Sequence, residues 1–134
     1  MNHTILMVEN DSDDRLLTEE MFRSEGLTAK IDFIYSTVLN GYIKNLSYKP
    51  TLIILSLNAQ ANDLSELILC IRHSEICRST PLIVLSDVVR PADIEKSYAL
   101  GANSLIKKPD NYADTVFKIK AFVNYWFGTV ELPV

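Results

Sequence analysis

The side chains able to do chemistry collect at the ends of short apolar runs. Glu9-Asn10-Asp11 follows the run at 5–8, Ser56 and Asn58 close the run at 52–57, Ser86-Asp87 follows 82–85, and Lys107-Lys108-Pro109 follows 104–106. These are acids, hydroxyls and amines. No histidine neighbours Ser56 in sequence to act as its base, so an activated serine nucleophile is not indicated. Nor does a Gly-rich or Ser/Thr-rich loop follow any of the runs, as a phosphate cradle would require. The soft ligands lie elsewhere: Cys70, His73 and Cys77 number three, and their spacing matches no structural zinc pattern. If both cysteines lay on one helix, a rise of ~1.5 Å per residue would hold their Cα atoms about 10 Å apart, beyond disulfide reach. They read as reduced thiols, with no metal site and no cofactor expected.

What positions these residues is an alternation of period. The apolar runs at 5–8, 31–34, 52–57, 82–85 and 104–106 are strand-sized, and longer segments with helical spacing separate them. Leu52-Ile53-Ile54-Leu55 and Leu82-Ile83-Val84-Leu85 are apolar at successive positions, so both faces of these strands must be covered. Pro50 and Pro81 punctuate the entries to those two strands, and Gly26 and Gly101 stand where helices should end. Five strands alternating with helices, joined by right-handed crossovers, predict a flavodoxin-like (βα)₅ doubly wound parallel sheet of strand order 2-1-3-4-5. A ligand site in such a sheet forms beyond the C-terminal ends of strands one and three. Function is therefore to be read at Glu9-Asn10-Asp11 and Ser56-Leu57-Asn58.

Composition bounds the rest. The 134 residues suit one domain, expected over 1–134 with 128–134 as a C-terminal tail, and 48% apolar with 22% charged residues is an ordinary globular balance. A formal net charge of −4 gives no positive field for nucleic acid or an anionic membrane surface. No apolar run approaches the ~20 residues of a membrane helix, and Met1-Asn2-His3-Thr4 offers no basic or long apolar leader. The expectation is a cytoplasmic protein with neither nucleic-acid nor membrane partners.

The residues at the strand ends resemble those of response-regulator receiver domains, across essentially the whole chain. The resemblance is carried by Ile5-Leu6-Met7-Val8-Glu9-Asn10-Asp11, Leu52-Ile53-Ile54-Leu55-Ser56-Leu57-Asn58, Pro81-Leu82-Ile83-Val84-Leu85-Ser86, and Gly101-Ala102 leading to Lys107-Lys108-Pro109. It implies a two-component signalling module whose active members hold Mg²⁺ with two acids after the first strand and a phosphoacceptor Asp after the third. A Ser/Thr after strand four and a Lys after strand five contact the phosphoryl group. Glu9 matches the first acid, Asn10 the second, Ser56 the acceptor, Ser86 the hydroxyl and Lys108 the lysine. Thus two of the matched positions have lost their carboxylates. A hard cation is normally held by one or two carboxylates, and a serine cannot form an acyl phosphate. The expectation is a pseudo-receiver, not an enzyme, with a degenerate pocket of Glu9, Asn10, Ser56, Asn58, Ser86 and Lys108. Gln60, Leu64 and Leu105 stand where the family commonly has Pro, Gly and an aromatic switch residue.

Two rivals follow. Asp11 could be drawn into the pocket, with Asp87 as a substitute acceptor, giving a receiver that still takes phosphate; the competing role for Asp11 or Ser12 is to cap the first helix, with Asp13 and Asp14 favouring its N-terminal dipole. A small-molecule-binding flavodoxin-like module is the other. Lys108, lacking its usual Asp, should either pair with Glu9 or stay solvated, and by resemblance Lys108-Pro109 is a candidate cis peptide.

With the chemistry gone, output falls to a surface. In 111–134, Val116, Ile119, Val123 and Trp126 share one helical face as a core stripe, while Phe117, Ala121 and Tyr125 recur at i, i+4, i+8 on another. The second row reads as an interface. The ending from Trp126 to Pro133 resembles the tail of the small stand-alone regulators associated with bacterial phytochromes, which implies a symmetric homodimer. Protein partners would be a sensor kinase or a downstream protein of a two-component pathway.

Overall fold

Runs of uninterrupted aliphatic residues can be buried on both faces only in the middle of a layered sheet, and that is where 52–57 and 82–85 lie. The computed structural model describes residues 3–58 and 64–133. Among them the order is β1 (Thr4–Val8), α1 (Ser12–Ser24), β2 (Lys30–Ile34), a 3₁₀ turn (Ser36–Val38) leading into a short α2 (Leu39–Lys44), β3 (Leu52–Leu57), α3 (Leu64–Arg72), β4 (Leu82–Ser86), α4 (Pro91–Leu100), β5 (Ser104–Lys107) and α5 (Tyr112–Gly128). The strands pair in parallel in the order β2-β1-β3-β4-β5. This is the flavodoxin-like arrangement expected, with each strand at most one residue longer at an end than its apolar run.

Alternation along the central strands divides the core in two. Leu6, Val8, Ile53, Leu55, Leu82 and Val84 pack under α2 and α3 with Leu39, Ile43, Leu67, Ile68 and Ile71. Ile5, Met7, Leu52, Ile54 and Ile83 face the other way, onto Phe22 of α1 and Ile119, Phe122, Val123, Trp126 and Phe127 of α5. A period of two in a strand thus assigns each apolar neighbour to a different layer.

The helix ends follow local chemistry. Asp11 caps α1, its Oδ1 accepting from the backbone N–H of Asp13 at 2.8 Å and of Asp14 at 3.0 Å. Asn111 caps α5 in the same way by accepting from Asp114 N–H. Gly101 ends α4 at φ +117°, where an added Cβ would lie 3.0 Å from Arg72 Cγ, so both the backbone and the space demand glycine.

Arg72, at the end of α3, is a hub that neither its spacing nor its neighbours in the chain single out. It donates from Nε to the Gly101 carbonyl, from Nη1 to the carbonyls of Cys77, Arg78 and Thr80, and from Nη2 to Asn103 Oδ1. Tyr98 on α4 makes a single tie of this kind: its phenolic oxygen accepts the Leu105 N–H of the edge strand β5 at 3.1 Å.

Two expectations need correction. Because α3 stops at Arg72, Cys77 falls in the following turn, so the single-helix premise for the cysteine pair does not hold; both are free thiols, and burial pushes each thiol pKa upward. Among the described residues no peptide bond is cis, so Lys108-Pro109 is trans. Gln60, one of the departures from the family pattern, lies outside the described residues.

Candidate functional site

Parallel strands deliver their last residues to one edge, and here that edge receives Glu9, Ser56, Ser86 and Lys108. Glu9 and Ser56 continue the Met7 and Ile54 face of the sheet by one alternation, so polar groups surmount an apolar layer. Both are buried, Glu9 to 5% exposure and Ser56 to 4%. The Ser56 hydroxyl donates to Glu9 Oε1 at 2.7 Å, and Asp11 N–H donates to Glu9 Oε2 at 3.3 Å. The carboxylate therefore has a partner for each oxygen, as a buried polar group requires.

The remaining matched residues do not converge on that pair. Asn10 turns to the loop after β2: its Nδ2 donates to Ser36 Oγ at 3.0 Å and its Oδ1 accepts from Ser36 N–H at 2.9 Å. Ser86 donates its hydroxyl to the Val88 carbonyl two residues on, at 2.9 Å. Lys108 joins Ser86 through its backbone N–H, but its ammonium lies 3.6 Å from Asp87 Oδ1. Neither alternative for Lys108, a contact with Glu9 or an unpaired solvated ammonium, is realised; Asp87, just past the end of the adjacent strand, meets the ammonium instead. Asp11 is committed to the first turn of α1 and contributes only its backbone N–H to Glu9. Asn58 is exposed immediately after β3.

Arg15 belongs to this region, and sequence reasoning misses it. Its Nε donates to the Glu9 carbonyl at 2.7 Å, and its guanidinium lies 4.4 Å over the Tyr35 ring and 5.6 Å from that of Phe33. The only available signal is an Arg one turn into a capped helix, which is ordinarily a solvated residue.

On the far side of the site, α5 shows the two faces its spacing predicts. Phe117 is 72% exposed and Tyr125 50%, with Ala121 exposed between them. Trp126 packs inward and holds the Tyr125 ring edge-on at 5.1 Å. Phe122 and Phe127 also join the core, and Leu132 from the tail packs with them.

A five-stranded doubly wound sheet carrying acid, hydroxyl and lysine positions at its C-terminal edge defines the receiver architecture, and comparison with known proteins places the chain there. No protein-family model matches. The response regulator Rcp1 of Synechocystis is 26% identical over 136 residues, spanning 96% of this chain and 92% of that protein. A probable methanogenesis regulatory protein, FilR2 of Methanothrix harundinacea, is 26% identical over 137 residues, 96% of this chain and 86% of its own. The crystal structure of RPA3017, a response regulator in red light signaling of R. palustris, superimposes with a TM-score of 0.84 at 25% identity, covering 98% of this chain and 99% of that one. The chain is thus similar to response regulators over nearly its whole length and has the fold of their receiver domains.

Proposed function

We propose that this chain is a pseudo-receiver: one receiver-like unit over 1–134, with 128–134 as the segment after its last helix, that serves two-component signalling without accepting phosphate. The observation that carries this reading is Ser56. At the position matching the family's phosphoacceptor, the side chain is an alcohol whose proton is given to Glu9 at 2.7 Å. A serine there offers no carboxylate to phosphorylate and none to a metal.

The surrounding geometry supports the same reading for Mg²⁺. A hard divalent cation wants convergent carboxylate oxygens. Asn10 is bound at both ends to Ser36, Asp11 is committed to the α1 cap, and among the described residues no group of three His, Cys, Asp or Glu gathers in ligating geometry. The donor set does not fit the ion. The phosphate-accepting alternative is disfavoured on the same grounds, since Asp11 would have to uncap its helix, while Asp87 is paired with Lys108.

Output then rests on contacts between proteins in the cytoplasm rather than on catalysis. The exposed Phe117, Ala121 and Tyr125 row is the surface proposed for homodimerisation or for a kinase or downstream partner. Incubating the protein with Mg²⁺ and acetyl phosphate, and separately with beryllofluoride, tests the reading. The expected result is an unchanged mass and an unchanged amide spectrum. A phosphoryl mass increment, or saturable amide shifts around 9, 56 and 86, would overturn it.

A further inference from the structure

A cavity of about 210 Å³ lies between α1, α5 and the sheet, running from the degenerate site into the apolar layer beneath it. Met7, Ile54 and Ile106 line it from the strands, Phe22 from α1 and Phe122 from α5, with Glu9 where its lining turns polar. Its size is informative. An apolar cavity of about 150 Å³ takes benzene, whereas drug-sized ligands fill about 300 Å³ or more. This one suits a single ring or a short alkyl chain with a small head.

The charge of that head follows from the polar part of the lining. Glu9 is 5% exposed, and among the described residues no ion pair reaches it; its oxygens have only the Ser56 hydroxyl and the Asp11 N–H. Asp14, which also lines the cavity, is likewise outside any ion pair among those residues. Of the two lysines in the lining, Lys108 is paired with Asp87 at 3.6 Å, and Lys118 donates to the Lys107 carbonyl at 2.6 Å. Asp14 is exposed to solvent, so Glu9 is the buried carboxylate of the lining, and it has hydrogen bonds but no ion pair among the described residues. A buried carboxylate without a counter-charge is costly, and an incoming cation that keeps its own hydrogen bonds relieves that cost.

We propose that this cavity binds a small primary ammonium compound with an apolar body, its head on Glu9 and its body against Met7, Ile54 and Phe122. Recognition divides in two: the apolar layer supplies affinity by burying the body, and Glu9 selects the cationic head. The site extends beyond the receiver reading and does not depend on it, because it asks nothing of phosphate or Mg²⁺.

The test uses the full chain with 2-phenylethylamine as probe, and with 2-phenylethanol and 3-phenylpropionate as its neutral and anionic counterparts. The amine is expected to raise the melting temperature in a concentration-dependent, saturable way and to shift the amides of 7–9, 54–56, α1 and α5. The alcohol and the acid should each bind at least about tenfold more weakly, since a desolvated charge pair is lost in one case and made repulsive in the other. Glu9→Gln should weaken the amine by a similar factor and leave the alcohol unaffected. If that variant does not fold, the three-ligand comparison on the unaltered protein decides alone. No saturable response to the amine, or equal binding of all three compounds, would overturn the proposal.

Discussion

Replacing Ser56 by alanine removes one oxygen and leaves nearly everything else in place, which makes it a sharp probe of the site. The hydroxyl donates to Glu9 Oε1 at 2.7 Å, and both residues are at least nine-tenths buried, so water cannot readily replace the lost donor. A hydrogen bond to a charged group contributes about 1.5–3 kcal/mol, whereas a neutral pair gives about 1. Ser56→Ala should therefore lower the unfolding free energy by about 2 kcal/mol, which for a chain of this length is roughly 6–10 °C in melting temperature. Glu9→Gln keeps an acceptor but removes the charge, so on that background the same Ser56→Ala change should cost only about 1 kcal/mol. Urea unfolding of the four proteins, with the slope held common, measures the cycle. If Ser56→Ala matches the parent within about 0.5 kcal/mol, or costs more in the Glu9→Gln protein than in the natural one, the electrostatic account of the pair is wrong.

Further outcomes follow from the hub, the helix face and the β2 edge. Arg72→Ala should destabilise by about 3 kcal/mol, because it removes five hydrogen bonds, to the carbonyls of Gly101, Cys77, Arg78 and Thr80 and to Asn103 Oδ1; thermal unfolding checks this, and a loss below about 1 kcal/mol would contradict it. Tyr125→Arg places a charge at the 50% exposed end of the Phe117 row and should cost no more than about 1.5 kcal/mol, the loss of its edge-on contact with Trp126, while abolishing self-association in sedimentation. Identical monomeric behaviour of parent and variant would remove the dimer. Tyr48 donates to Asp32 Oδ2 at 2.6 Å, and burial first, then that bond and Tyr42, raises its pKa far above the ordinary value of 10.0. The folded state thus keeps a proton that the unfolded chain releases, so this contribution is complete below pH 10 and is lost as pH climbs beyond it. Urea midpoints compared between pH 9 and about 11 should fall less steeply for Tyr48→Phe than for the parent.

The fold was legible because its signals are collective. Leu52–Leu57 and Leu82–Leu85 are apolar at every position save Ser56, and only a central parallel strand tolerates that; the glycines and prolines then marked where the chain must turn. The 3₁₀ entry to α2 was not legible, since 36–44 holds no sustained helical stripe and its shape is decided by what Leu39 and Ile43 meet in the core. At the site, residue types could be aligned, but their partners could not. Lys108 found Asp87 rather than Glu9, and Asn10 found Ser36, because side-chain reach across strand ends depends on loop geometry that spacing does not encode. Arg15 and Arg72 are hidden for a related reason. Arg15 bonds the Glu9 carbonyl and Arg72 four carbonyls distributed along the chain, and carbonyls leave no trace in an amino-acid alphabet.

The phenol of Tyr98 has a bearing on how copies of this chain can meet. An exposed sheet margin invites another strand to dock by ladder pairing, and that is a route to runaway polymerisation. At the β5 margin the Leu105 donor is already taken, by an oxygen borrowed from a helix rather than from a neighbouring ribbon. Extension of the sheet from one molecule to the next would first have to evict that ring. Any contact between copies at this margin is thereby steered away from the Leu105 backbone and onto side chains, where a finite, closed assembly can be specified.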